Sequence, residues 1–183
     1  MTAFRGLLIA IVATAGVQSA ALAPKSVAAC PAPYAPSALW SRDTTPDGKL
    51  TLRVPPAFRR DGANSHWLTS TTVPDGGWFG LSSVGDHLED VGQWVPAGDT
   101  TYKATDVEYV SQHTACREAI HGVAALVESG LLTGGIAGLR NQPAVRITWY
   151  DGDRPIAVMM GRAANERGQA ALLVIARTVR FTR

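Results

Sequence analysis

The side chains in this chain best suited to chemistry are its four histidines, His66, His87, His113 and His121. If the segment around it is helical, Glu118 shares a face with His121 three residues on. His113, just before them, would supply a third group, a set of the kind that holds zinc. No His-Glu-x-x-His or paired-cysteine spacing accompanies it, and the plainer reading is three solvated polar residues. In a second cluster, Asp86-His87-Leu88-Glu89-Asp90, carboxylates flank a histidine, an arrangement suited to acid–base work. Its turn-forming neighbours favour a solvated loop. A Gly-x-Ser-x-Gly elbow is absent. The glycines of Thr133–Gly138 lack the Lys-Ser/Thr ending of a phosphate loop. The expectation is therefore no catalytic residue, no metal site and no cofactor. The alternative is a small periplasmic hydrolase or metal-dependent enzyme using His87, Glu89 and Asp90 or His113, Glu118 and His121.

Charge supplies a lead toward binding instead. Asp86, Glu89, Asp90, Asp99, Asp106 and Glu108 stand against Lys103 alone, whereas eight arginines between Arg140 and Arg183 face only Asp151, Asp153 and Glu166. The whole chain carries a formal charge of only +2, which argues against nonspecific nucleic-acid binding. Arg146, Thr148 and Tyr150 alternate with Val145, Ile147 and Trp149, so one strand face would carry a guanidinium and a phenol while the other packs inward. Arginine and aromatic side chains suit partner recognition. Arg146, Tyr150, Arg154 and Trp94, the tryptophan of the acidic loop, are the candidate binding residues. The competing reading is that the two charge blocks pair within the fold or sit solvated. Trp67, Trp78 and Phe79 raise a carbohydrate or peptide site, but tryptophans in strands are more often core.

The compartment follows from the start of the chain. Arg5 precedes an apolar run, Gly6–Val17, and small residues at Ser19–Ala23, the three parts of a cleavable signal peptide. The run is too short to cross a bilayer, and no later segment is apolar for long enough. Export implies an oxidising compartment, where the two cysteines, Cys30 and Cys116, read as a disulfide. Val27-Ala28-Ala29-Cys30 also resembles a lipobox, which would make Cys30 a lipid anchor and exclude the bridge.

Residues 24–46 hold Pro24, Pro31, Pro33, Pro36 and Pro46 and read as a surface leader. Residues 47–183 read as one domain. Leu50, Leu52 and Val54 alternate as a half-buried strand. Ser65–Val73 and Trp78–Val84 flank Pro74-Asp75-Gly76-Gly77 as a hairpin, and Tyr102–Val110 is a further strand. The spacing predicts a helix over Thr114–Leu131. Cys116, Ile120, Val123 and Val127 recur at intervals of 4, 3 and 4, Thr114 suits an N-cap and Gly130 a stop. Ala144–Tyr150, Pro155–Ala163 and Gln169–Phe181 read as a meander. The expected fold is α+β, an antiparallel sheet with one main helix packed on one face.

The segments Lys49-Leu50-Thr51-Leu52-Arg53-Val54-Pro55-Pro56-Ala57-Phe58 and Val174-Ile175-Ala176-Arg177-Thr178-Val179-Arg180-Phe181 resemble the opening and close of PsbP/Mog1-like domains. That resemblance, over Pro46–Arg183, implies a non-enzymatic accessory or binding module. The functional expectation is a periplasmic or secreted binding or accessory protein of the bacterial envelope, with an envelope protein as its partner.

Overall fold

The alternation Val145-Arg146-Ile147-Thr148-Trp149 turns every second side chain to the same side of an extended backbone, and it forms the middle of a long strand. The computed structural model describes residues 28–30, 38–62, 65–70, 77–83, 94–98, 100–105, 107–135 and 138–182. Its strands are β1 (Ala28–Ala29), β2 (Ser41–Thr44), β3 (Leu50–Val54), β4 (Arg59–Arg60), β5 (Trp67–Ser70), β6 (Gly77–Ser83), β7 (Val95–Pro96), β8 (Tyr102–Lys103), β9 (Glu108–Ile120), β10 (Val123–Gly134), β11 (Leu139–Asp151), β12 (Arg154–Ala163) and β13 (Arg180–Phe181). Among the described residues there is one helix, α1 (Glu166–Ala176). The export segment, residues 24–27 and 31–37 of the Pro-rich leader, the Pro74–Gly76 turn and the Asp86–Asp90 cluster lie outside the described residues.

The long strands β9 to β12 form an antiparallel meander. The sheet continues through β6, β5 and β4 on one side and β8 and β7 on the other, in the order β4-β5-β6-β12-β11-β10-β9-β8-β7. β1 runs parallel to β9, with Ala28 opposite Cys116 and Ala29 opposite Arg117. There Cys30 and Cys116 stand at disulfide distance, with sulfurs 2.08 Å apart, and link positions 86 residues apart in sequence. A second sheet has the order β13-β3-β2.

This architecture overturns the α+β expectation. The protein is mostly strand, and Thr114–Leu131 is not a helix but parts of β9 and β10 with the tight turn between them. The reason lies in the spacing itself. Residues four apart share a face in a strand as well as in a helix, and the interval of three spans a two-residue turn. Ile120 therefore lies opposite Val123 and Cys116 opposite Val127, so the apparent helical stripe is one face of a hairpin. His121 and Gly122 take φ of 50° and 84°, the left-handed pair that a type I′ hairpin turn requires.

The end of the chain is corrected in the opposite sense. Asn165-Glu166-Arg167-Gly168, which a meander would make a turn before a strand over Gln169–Phe181, instead begins α1. The Asn165 side chain accepts a hydrogen bond from the Gly168 N–H at 2.9 Å and caps the helix. Gly168, Leu172, Ile175, Ala176 and Val179 are buried at helical spacing. The run Leu172-Leu173-Val174-Ile175 is apolar enough for either structure, and the cap decides.

α1 and β3 cover one face of the large sheet. Leu172 and Ile175 from the helix and Leu50 and Leu52 from β3 join Phe79, Leu81, Val145, Ile147, Trp149 and Met159 in one core. Gly161 lets the helix come close: a Cβ there would lie 2.9 Å from both Leu172 Cδ1 and Phe79 Cβ. The Thr178 hydroxyl accepts from the Arg53 N–H at 2.8 Å and ties the end of the helix to β3.

Candidate functional site

Cross-strand partners share a face of a sheet, so the register defines the opposite face of the long strands. Glu128 of β10 lies opposite Arg146 of β11 and Arg146 opposite Met160 of β12. Thr148 follows Arg146 on the same face, opposite Leu126 and Val158, and then comes Tyr150, opposite Ala124. The sequence suggests a solvated guanidinium at this position, but Arg146 is only 7% exposed and Glu128 only 5%.

The centre of this second face is an ionic cluster. Arg146 Nη1 donates to Glu128 Oε2 at 2.9 Å. Glu128 Oε1 lies 3.1 Å from His113 Nε2, within hydrogen-bond distance. Tyr102 stacks on the His113 ring with centroids 3.8 Å apart, and Trp94 meets the ring edge-on at 5.8 Å. Trp94 is 6% exposed and packs with Ala104, Val110, Leu132 and Ala144. As a binding residue on the acidic loop Trp94 would be exposed, but the ring covers the second face of the sheet instead. Arg162 on the same face donates to Glu108 at 2.7 Å, and its guanidinium lies 4.8 Å from the Trp78 ring centroid. In Glu108 and Arg162 the acidic and basic blocks of the sequence do meet inside the fold.

The histidine and carboxylate sets do not assemble. His113 and Glu118 point to opposite faces of β9. Glu118 accepts from Arg177 Nε through both oxygens, at 2.9 and 3.2 Å. His121 sits in the β9–β10 turn, where burial, and the positive charge of Arg180 after it, push its pKa below the ordinary 6.5; a backbone hydrogen bond with Arg177 opposes the shift. His66 Nδ1 is 3.1 Å from the Leu81 carbonyl. No group of three His, Cys, Asp or Glu side chains placed to hold a metal occurs among the described residues. His87, Glu89 and Asp90 lie outside them.

The same face opens at the hairpin end of the sheet. Ala119, Ala124 and Tyr150 lie side by side across β9, β10 and β11. Two alanines beside a tyrosine leave a hollow, and a cleft of about 520 Å³ is lined there by Arg117, Ala119, Ala124, Tyr150, Gly152 and Asp153, among others. The alanine methyls form the floor and Arg117 and Tyr150 rise beside them. Asp153 stands on the β11–β12 turn, where Gly152 takes a φ of 59°. Among the described residues, the Arg117 guanidinium, the Tyr150 hydroxyl and the Asp153 carboxylate have no hydrogen bond or ion pair. The cleft thus offers a cation, an anion and a phenol over a floor without bulk, which is chemistry for recognition.

Of the sequence candidates, Tyr150 lines this cleft and Arg154 is exposed just past its turn. Arg146 and Trp94 belong to the buried cluster. Arg117, Ala119 and Ala124 escaped the sequence reading because a helix over Thr114–Leu131 scatters them, and without them nothing singles out Asp153. The pair His121-Gly122 was the signal that could have found them. No helix of the described residues is long and apolar enough to cross a membrane. Neither a known family model nor a curated protein matches this chain.

Proposed function

We propose that this chain is an exported binding or accessory protein of the bacterial envelope that recognises its ligand in the cleft between its two hairpin turns. The observation that carries this reading is the cleft, with three polar groups of differing chemistry, unpaired among the described residues, over a floor of alanines. Concave sites with a few convergent polar groups are where ligands are recognised. Supporting the compartment are the Met1–Ala23 leader and the placing of Cys30 against Cys116 at disulfide distance, a pairing that persists outside the cytoplasm. The resemblance to PsbP/Mog1-like domains points to the same kind of role.

Site-specific crosslinking in living cells tests the reading. A photoreactive side chain at Ala124, on the exposed floor, is expected to give a discrete adduct. The same group at Asp61, exposed next to β4 at the other edge of the sheet, gives none. Adding Tyr150→Ala is expected to weaken the adduct without unfolding the protein. Identical adduct patterns from positions 124 and 61, or none from either, would count against it.

A further inference from the structure

We infer that the cleft takes a short peptide with both ends free, its carboxylate on Arg117 and its ammonium on Asp153. This rests on the reading of the cleft as the binding site and adds the chemical class of what enters it.

The two charges are kept available. Glu118, next to Arg117 in sequence and also lining the cleft, has both carboxylate oxygens held by Arg177, so its charge is already matched. Asp153 has Arg154 beside it, yet neither side chain has an ion pair among the described residues. An anion alone would meet Asp153 unfavourably, and a cation alone would meet Arg117. A ligand carrying both charges at its two ends satisfies both.

Separation sets the length. Arg117 is on β9 and Asp153 at the end of β11, two strands away, a lateral distance of about 10 Å at ordinary strand spacing. Asp153 is also displaced along the strands, because Arg117 aligns with Leu126 and Thr148 while Asp153 lies past Tyr150. An arginine side chain is long enough to cover part of this gap. A single amino acid, with its charges on adjacent atoms, is too short to touch both. Two or three extended residues span about 7–10 Å. The alanine floor of Ala119 and Ala124 leaves room for small side chains, and the Tyr150 hydroxyl can donate to or accept from the peptide's own amides.

Trialanine, its N-acetyl form and its C-terminal amide are the probes. They are titrated into the isotopically labelled protein isolated after export, and the backbone amide resonances of Gly122, Ala124 and Gly152 are followed. Free trialanine is expected to shift all three. Blocking either end is expected to weaken binding about three- to fivefold, the scale of an exposed ion pair. In Arg117→Gln, trialanine and its amide become equivalent, and in Asp153→Asn, trialanine and its N-acetyl form do. Equal shifts from the three probes, or no shift from any of them at about 10 mM, where even weak sites fill, overturn the assignment. If the peptides fail while the Ala124 crosslink still forms, the ligand class falls and the binding cleft stands. If both fail, the cleft reading falls too.

Discussion

The two faces of β9, β10 and β11 are built from the same alternating segments but form different interiors. On one face Val145, Ile147 and Trp149 are fully buried under α1 and β3, in a core made almost entirely of apolar side chains. On the other, Glu128, Arg146, His113 and Thr148 occupy the equivalent rows, and the cover is aromatic, from Trp94 and Tyr102. Among the described residues, the buried side-chain polar atoms without a hydrogen-bond partner are Arg146 Nε, Thr148 Oγ1, Gln142 Oε1 and Trp94 Nε1 on the second face and Trp149 Nε1 on the first. Buried polar groups without partners are uncommon in native proteins. The difference teaches that stability is concentrated on the first face, whereas the second holds charge in place and opens into a cleft where its cover ends.

The sharpest way to break this comparison is to remove one charge from the second face. Glu128→Leu leaves the Arg146 guanidinium buried without its carboxylate and is expected to destabilise by about 3–5 kcal/mol. The double variant Glu128→Leu/Arg146→Met removes both charges and is expected to recover most of that loss. Chemical denaturation of the two variants measures the difference. A double variant as unstable as the single one would mean that the pair is not the unit of stability on this face.

A smaller effect tests the first face. Asn165→Ala deletes the cap of the helix that covers it and is expected to cost about 1 kcal/mol. Hydrogen exchange should rise in the first turn of α1 and leave the amides around Glu128 unchanged. Faster exchange on both faces would show that the two interiors are not independent.

The smallest effect is on pH dependence, and it separates the edges of the sheet from both faces. His121 has its pKa lowered in the fold, chiefly by burial and then by Arg180. Below about pH 6.5 the unfolded chain therefore binds a proton that the folded chain resists. The stabilising contribution is complete above that value and is lost as pH falls through the folded pKa. Asp47 behaves alike at lower pH. Burial alone would raise its pKa, but the hydrogen bonds from Ser83, Thr45 and the Lys49 backbone, with the Lys49 charge, outweigh it and hold it below 3.8. Stability from Asp47 is present above 3.8 and is lost as pH falls through its folded value. Thermal melting between pH 7 and pH 5 should show a shallow decline that His121→Gln removes. An unchanged decline in that variant would assign the effect to another group.

Much of the strand structure was legible. The alternation at Leu50, Leu52 and Val54 and at Val145–Tyr150 marks β3 and β11, and the Asp151–Arg154 turn marks the join to β12. Where the reading failed, the sequence pattern was degenerate. Intervals of 4, 3 and 4 fit a helix stripe and a hairpin face equally, and only the His-Gly pair at the centre distinguishes them. Leu172-Leu173-Val174-Ile175 fits a central strand or a buried helix, with Asn165 as the deciding residue. The candidate site was half visible: Tyr150 follows from alternation on its own strand, but the cleft also needs Ala119 and Ala124, and their place beside Tyr150 depends on the hairpin.

The residues alone determined which segments alternate, that the chain has a single possible cysteine pair, and that acid and base are divided between two stretches of chain. Local chemistry suffices for these, because the period of a strand and the charge of a side chain do not depend on distant neighbours. The tertiary structure alone decided that Arg146 is buried against Glu128, that Trp94 lies over His113, and that Arg117 and Asp153 flank one hollow. Those pairings join residues that the register of neighbouring strands brings together across long stretches of sequence. A shift of one residue would turn each of them to the other face.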